Sequence, residues 1–238
     1  MINNDILVIY PETISTQIAL YKGTSLLFLK NIKHDPEVIN GLKEPAKKLE
    51  FRTNEVMREL EENDTVFNEI EIVVGRGGLL KPLNAGVYEV NKKMVEDLRS
   101  GSVGWHHTNL GGLIAFEIAN RIGAKPILAD PVSVDEMEKI AKVSGHPLIE
   151  RKSIFHSLNQ KFFARKYAKA HHKNYEELNL IIATVGMGGI SVAAHHNGKA
   201  VDVNNAYDGE GPFSIKRSGG LPVGDLLKLA FSGKYTEW

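Results

Sequence analysis

The sequence has no cysteine among its 238 residues. This absence excludes disulfide bonds, thiolate metal sites and a cysteine nucleophile. It also has no excess of either charge, since 29 Lys and Arg residues balance 29 Asp and Glu residues. A formal net charge of zero gives no electrostatic reason to expect nucleic acid or an acidic membrane as a partner.

Long apolar runs and processing signals are missing as well. The opening segment MINNDILVIY has only a short apolar run and no basic region before it, unlike a signal peptide, and no run reaches transmembrane length. The composition is otherwise that of an ordinary globular protein, without low-complexity segments. We therefore expect a cytoplasmic protein, long enough for one large domain or two small ones.

Apolar strands alternate with helical patterns along the first 170 residues. The opening predicts a three-stranded antiparallel meander, with strands at 6–10, 15–21 and 26–29. Two continuous apolar strands follow at 70–75 and 124–130. Helices are predicted at 47–62, 92–99, 110–122, 134–143 and 154–170. This alternation predicts an α/β fold whose partly parallel sheet is covered on both faces.

The stretch 178–222 predicts a second meander, after a division near Tyr175. Apolar runs at 180–183 and 190–194 flank a turn that contains three glycines, and Asn197-Gly198 signals a hairpin before a strand at 200–203. Such turns present backbone N–H groups to anions, so the stretch predicts a phosphate-binding shape. The turn matches neither common phosphate-loop pattern, however, and is a weak signal alone.

Three charged residues occupy positions where functional groups are expected. Asp130 ends one predicted strand and Arg76 follows another, and ligands of open α/β sheets bind beyond the carboxyl ends of strands. The guanidinium of Arg76, between glycines, suits a carboxylate or a phosphate. Arg217 lies in a long loop rich in glycine, and such loops are often functional. The plain alternative for Asp130 is an aspartate that turns the chain or caps the next helix. For Arg76 it is a surface arginine in a turn, and for Arg217 it is a mobile surface loop.

Six of the nine histidines form three adjacent pairs. His106 and His107 precede Asn109 at a predicted helix start, where they could reach a substrate oxygen or simply cap and pack the helix. The pair 171–172 complements a helix dipole, and the pair 195–196 is predicted to be solvated. None has the spacing or the carboxylate neighbours of a metal site, so no metal-ligand cluster is predicted.

Five segments carry a resemblance to a known family: DVNNAYDGEGPFSIKRSGGLPVGDL, VVGRGGLLKPL, HHTNLGGLIA, ADPVSVDEM and SIFHSLNQK. Together they resemble butyrate kinase and the branched-chain carboxylic acid kinases, relatives of acetate kinase. The resemblance implies the actin-like ATPase fold of sugar kinases and acetate kinase, with a complete first domain (1–174) and an incomplete nucleotide-side domain (175–238), since family members continue further. It also implies a homo-oligomer.

The family reaction transfers the γ-phosphoryl group of ATP, with Mg²⁺, to a short or branched-chain carboxylate. The resemblance implies catalytic roles for Asp130, near the reacting carboxylate and metal, and for Arg76 and Arg217, which hold the carboxylate and the phosphoryl group. It implies substrate-binding roles for His106 and Asn109. A loose phosphoryl transition state is stabilised mainly by positioning and positive charge, which such groups supply.

Two phosphate-binding turns depart from the family pattern. The first, NPGSTSTK in the family, is YPETISTQ here. It keeps Ser15 and Thr16 but gains Glu12, whose carboxylate would lie near a bound phosphate and repel it. The second, HLGGGISV, is VGMGGISV here; it keeps Gly188 and Gly189 but starts with Val185, which cannot donate a hydrogen bond. Two alternatives follow: a butyrate kinase-like enzyme, or a catalytically inactive remnant that retains carboxylate binding or dimerisation only.

Overall fold

The computed structural model describes residues 5–235. The chain divides into two compact units, Met1–Ser133 and Val134–Trp238. The predicted boundary near Tyr175 lies inside the second unit, between a helix and the sheet on which that helix packs. The domain limits 1–174 and 175–238 therefore stay a prediction.

The first unit is built on a six-stranded mixed sheet with the order β3-β2-β1-β4-β6-β5. The first three strands form the predicted antiparallel meander, and β4 pairs in parallel with both β1 and β6, while β5 is antiparallel to β6. The elements of this unit are β1 (Asp5–Pro11), β2 (Ser15–Lys22), β3 (Ser25–Lys33), α1 (Pro36–Gly41), α2 (Pro45–Glu62), β4 (Ile70–Gly75), β5 (Val87–Glu89), α3 (Lys92–Ser100), α4 (Asn109–Ile122) and β6 (Lys125–Ala129).

The packed helices of this unit form one layer on the sheet. Helix α4 contacts β1, β4 and β6, and both α2 and α3 contact α4. In β1, Leu7 and Ile9 point into this layer and are fully buried, whereas Ile6 and Val8 on the other face are half-buried. These helices lie on one face of the sheet, and the predicted cover of the other face stays a prediction. The two crossovers, from β3 to β4 and from β4 to β6, step in the same direction, so right-handed connections place their helices on one side.

Two glycines let β4 and α4 touch backbone to backbone. A Cβ placed on Gly75 would lie 2.2 Å from the carbonyl oxygen of Gly111, and a Cβ placed on Gly111 would lie 2.2 Å from that of Arg76. No other residue type fits at either position without a backbone shift. The start of α4 is thereby held directly against the carboxyl end of β4.

The second unit contains a three-stranded antiparallel sheet, which confirms the second predicted meander. Its strand order is β7-β8-β9, and helix α5 packs on β7 through a small apolar core around Ala164, Ala168 and Tyr175. The elements of this unit are α5 (Ser157–Ala170), β7 (Asn179–Gly186), β8 (Gly189–His196), β9 (Lys199–Val203) and α6 (Val223–Ala230).

A buried polar network joins α5 to this sheet. Lys161 is 1% exposed and pairs with Glu136 at 2.7 Å. His195 lies between the Tyr175 hydroxyl, 2.5 Å from Nδ1, and Gln160 Oε1, 2.9 Å from Nε2. Burial, together with the Lys161 charge, lowers the pKa of His195 to about 4. The prediction that His195 is solvated is wrong, because β8 extends to His196 and its alternation turns residue 195 inward.

The predicted helix at 134–143 is also wrong. Only a short 3-10 turn, Lys139–Lys142, forms there. The preceding residues are held instead by tertiary contacts: the Glu138 N–H donates to Val201 O, and the Ser153 hydroxyl donates to Val134 O at 2.6 Å. These bonds outweigh helix propensity, which is a weak prior.

Within residues 5–235, we find no helix with the length and apolar character needed to cross a membrane.

Candidate functional site

The candidate site of the first unit lies at the carboxyl edge of its parallel strands. Strands β1, β4 and β6 are neighbours in the sheet and run in the same direction. Arg76 directly follows β4 and Asp130 directly follows β6. The structure therefore places these two predicted residues at one sheet edge, where ligands of open α/β sheets bind.

Arg76 is oriented by an aromatic ring. Its guanidinium carbon lies 4.0 Å from the ring centroid of Tyr10, a cation–π geometry, and its N–H donates to Ile9 O at 2.9 Å, extending the β1–β4 ladder. Tyr10, which replaces an asparagine of the family pattern, thus holds the predicted substrate arginine. This link depends on strand pairing and is invisible in the sequence.

Asp130 combines burial with unusual backbone geometry. It is 6% exposed and has φ +38°, in the left-handed region that residues other than glycine rarely adopt. Its N–H donates to Gly86 O at 2.9 Å, and its Oδ1 accepts the Gly86 N–H at 2.8 Å. Strained, pinned residues of this kind cluster at functional sites, which favours the functional interpretation of Asp130.

The two predicted substrate-binding residues differ in accessibility. Asn109 is fully buried; its Oδ1 accepts the Leu79 N–H at 2.9 Å and its amide donates to Gly104 O at 3.1 Å. Asn109 therefore holds two loops at the sheet edge in place through buried hydrogen bonds. His106 is half-buried, with Nδ1 2.9 Å from the Thr108 hydroxyl. A substrate-binding role for either residue stays a prediction.

The hydroxyls predicted to bind phosphate at the β1–β2 turn have partners inside the protein. Ser15 donates to Glu12 Oε2 at 2.8 Å. Thr16 is fully buried, and its hydroxyl lies 2.8 Å from His34 Nε2. Burial, with the nearby charge of Arg52, lowers the pKa of His34 to about 4. Direct phosphate binding by Ser15 and Thr16 stays a prediction.

Arg52, beneath this turn, is a residue that the sequence reasoning missed. It is 1% exposed, and burial lowers its pKa to about 10. It lies on the buried face of α2 beside Leu49 and Val56, and a charged residue within an apolar stripe is the signal that could have revealed it. Its guanidinium donates four hydrogen bonds, to Glu12 O at 2.7 Å, Thr13 O at 2.9 Å, Ser15 O at 2.6 Å and Thr16 Oγ1 at 2.8 Å.

In the second unit, Arg217 lies beside the glycine turn. Gly186 pairs with Gly189 across the β7–β8 hairpin. The carbonyl oxygen of Met187 accepts the Lys216 N–H at 3.1 Å, and a Cβ placed on Gly189 would lie 3.7 Å from Arg217 Cγ. The structure thus brings together Arg217 and the predicted phosphate-binding residues Gly188 and Gly189.

The Arg217 side chain packs on an aromatic ring, as Arg76 does. Its guanidinium carbon lies 5.0 Å from the Tyr207 ring centroid, and its Nη1 donates to Lys216 O at 3.2 Å. Its Nε is buried, with no hydrogen-bond partner among residues 5–235. Val185, at the position of the family histidine, is 75% exposed, so the hairpin turn is open to solvent there.

Comparison with known proteins gives close relatives over nearly the whole chain. No protein-family model matches it. Butyrate kinase 2 and butyrate kinase 1 of Clostridium acetobutylicum are 49% identical over 232 residues and 48% identical over 231, and a probable butyrate kinase of Listeria monocytogenes is 46% identical over 233. The alignments cover 97–98% of this chain and 65% of each relative. The chain thus spans about 65% of the length of these relatives.

Solved structures of carboxylate kinases share the fold. Acetate kinase of Porphyromonas gingivalis superposes with a TM-score of 0.70 at 17% identity, and a propionate kinase of Francisella tularensis with a TM-score of 0.66 at 15% identity. Each match covers 98% of this chain and 65% of the other. The fold is therefore the actin-like fold of the acetate kinases. With 45–49% identity along nearly all of its length, the chain is similar to several butyrate kinases over the 65% of their length that it covers.

Proposed function

We propose that this chain is a butyrate kinase-like protein that transfers the γ-phosphoryl group of ATP to a short or branched-chain carboxylate, giving an acyl phosphate. The observation that carries the proposal is the placement of Arg76 and Asp130 at the ends of two adjacent parallel strands. One is a permanent cation and the other a buried, strained carboxylate. The relatives named above supply the reaction class.

The proposed reaction needs positioning more than proton transfer. A carboxylate oxygen attacks the γ-phosphorus, and the bond to the bridging oxygen breaks, with its electron pair leaving on ADP. Arg76, steadied by the Tyr10 ring, binds and orients the attacking carboxylate. Arg217 and the glycine turn hold the phosphoryl group.

Asp130 fits the remaining requirement, a carboxylate for the metal. Mg²⁺ is commonly bound by one or two protein carboxylates together with substrate phosphates. Asp130 supplies a carboxylate directly after the end of β6. When bound, Mg²⁺ neutralises phosphate charge. Residues 5–235 contain no preformed group of three His, Asp or Glu that could hold a metal.

A hydroxamate assay for acyl phosphate tests the proposal. With butyrate or isobutyrate, ATP and Mg²⁺, we expect product from the purified chain and a loss of about 100-fold or more in Asp130→Asn. Asparagine is the replacement because it keeps the shape of the aspartate side chain and tolerates the left-handed backbone conformation at this position. Product formation no greater than that of the variant would contradict the proposal.

The second candidate function is an inactive remnant that retains carboxylate binding. The observation in its favour is that Glu12 occupies the first phosphate turn, bonded to Ser15, while Val185 occupies the second. Calorimetry separates the two candidates. Binding of butyrate with no detectable binding of ATP and Mg²⁺ supports the remnant, whereas micromolar ATP binding contradicts it.

We also propose that the protein is a cytoplasmic homo-oligomer, with a second copy covering exposed apolar side chains of the second unit. Ile181 and Val185 on the edge strand β7 are 74% and 75% exposed, and Phe231 after α6 is 86% exposed. Exposed patches of this type mark interfaces. Light scattering after size-exclusion chromatography measures the mass directly, and a monomer at micromolar concentration would contradict the oligomer.

A further inference from the structure

The β1–β2 turn, residues 12–15, is supported from below by one buried guanidinium. Arg52 Nη2 donates to Glu12 O at 2.7 Å and Thr13 O at 2.9 Å, and Nη1 donates to Ser15 O at 2.6 Å. Arginine presents donors in a rigid planar fork, so these bonds fix the carbonyls relative to one another. Lysine, with a single compact ammonium, could not hold the same set.

The captured carbonyls determine where the N–H groups of the turn point. No peptide bond among the described residues is cis, and in a trans peptide the C=O of one residue and the N–H of the next point in opposite directions. Since the carbonyls of Glu12 and Thr13 point at Arg52, the N–H groups of Thr13 and Ile14 point away from it. Successive N–H groups directed to one side form a concave site for an anion.

Among residues 5–235, the same guanidinium forms no ion pair. Its four hydrogen bonds all go to neutral oxygens, and buried charges in proteins are normally paired. With a pKa of about 10 it is protonated at neutral pH. Its field therefore favours an anion at the turn and opposes the effect of the Glu12 carboxylate, which Ser15 holds by a hydrogen bond. Ile14 is 48% exposed, so the turn is accessible.

We propose that Arg52 is a positioning residue for phosphate at the β1–β2 turn. It turns the N–H groups of Thr13 and Ile14 outward and provides the positive potential that a turn with a glutamate would otherwise lack. The ligand class is a phosphate group, free or on a nucleotide. The inference rests on the proposed function for its biological meaning, but phosphate binding itself needs no turnover.

The test is an NMR titration of the full chain with inorganic phosphate and, separately, with ATP and Mg²⁺. In the wild type we expect saturable shifts of the backbone amides of Thr13 and Ile14. Arg52→Lys, which keeps the charge but not the fork, weakens binding about tenfold. Arg52→Met removes both the charge and the planar fork and weakens phosphate binding about 100-fold. Arg58→Met is the matched control, because Arg58 is an exposed arginine of the same helix that contacts Glu55, and it leaves the affinity unchanged.

Unchanged amide shifts of β4 (Ile70–Gly75) and β6 (Lys125–Ala129) verify that the first unit, which contains Arg52, is folded in each variant. The proposal is overturned if the wild-type amides of Thr13 and Ile14 do not respond to either ligand, a result that needs no variant. It is equally overturned if Arg52→Met binds as tightly as Arg58→Met, or if Arg52→Lys loses as much affinity as Arg52→Met. A negative hydroxamate assay with positive titrations contradicts the proposed reaction and leaves the role of Arg52 intact.

Discussion

At the scale of single residues, buried cations organise the loops of both units. Arg52 in the first unit and Lys161 in the second are each 1% exposed, and each reaches from a helix to backbone carbonyls of a turn. Arg52 has neutral partners, whereas Lys161 donates to Gly198 O at 3.1 Å and pairs with Glu136. The second charge is therefore compensated, and its removal leaves a buried anion.

Replacing Lys161 by methionine should destabilise the protein by about 3–5 kcal/mol, because Glu136 would remain buried without its counter-charge. The double variant Lys161→Met/Glu136→Leu should recover part of that loss. Urea unfolding measures both. Arg58→Met, which breaks an exposed pair, should cost less than about 1 kcal/mol, and equal losses for the buried and exposed pairs would refute this reasoning.

At the scale of elements, the site depends on how closely β4 meets α4. The glycines at 75 and 111 allow a backbone contact, and this contact places Arg76 and the start of α4 at the same sheet edge. The loop after β4 is then fastened by Asn109 through the Leu79 N–H. These contacts fix the start of α4 and the carboxyl end of β4 relative to each other.

Gly111→Ala should cost about 3 kcal/mol or more, because its Cβ would lie 2.2 Å from the Arg76 carbonyl oxygen and the packed backbone must shift. The matched change is Gly224→Ala, also in a helix but with nothing within 4 Å of the added Cβ. Helix propensity predicts a gain of up to about 1 kcal/mol there. Thermal unfolding measures the change in stability of each variant. Similar changes for Gly111→Ala and Gly224→Ala would show that the close contact between α4 and β4 is absent.

At the scale of the whole molecule, each unit has a buried histidine with a lowered pKa. His34 lies in the first unit and His195 in the second, each with a pKa of about 4 instead of 6.5. In both, burial is the main cause, and a nearby cation adds to it. A fall in pH should therefore lower the stability of both units over the same pH range.

Stability should fall as the pH drops from about 6.5 to about 4. Over this range the unfolded histidines bind protons and the folded ones do not, so the stabilisation is complete above 6.5 and is lost toward 4. Each histidine contributes at most about 3 kcal/mol. Urea midpoints at pH 7 and pH 4.5 measure the loss. His34→Gln and His195→Gln should each flatten the pH dependence, and slopes parallel to the wild type would contradict the assignment.

Much of the fold was predictable because its signals are local. The opening meander, β4 and the glycine-turn hairpin follow from apolar periodicity and turn residues, which the structure confirms. The segment 134–143 was not predictable, since bonds to β9 and to Ser153 decide its conformation. Helices α2, α3 and α4 pack together on one face, as the rule of right-handed crossovers expects and composition does not.

The sequence by itself determined the resemblance to butyrate kinases, the meanders and the strand-end positions of Arg76 and Asp130, because these depend on residue order and short-range periodicity. Only the tertiary structure decided the partners of the polar groups: the Tyr10 ring under Arg76, Gly86 opposite Asp130 and Arg52 beneath the β1–β2 turn. The physical reason is that a hydrogen bond or a cation–π contact requires a distance of a few ångströms. Residues 40 positions apart in the chain, such as Glu12 and Arg52, reach that distance only when a helix packs against a sheet.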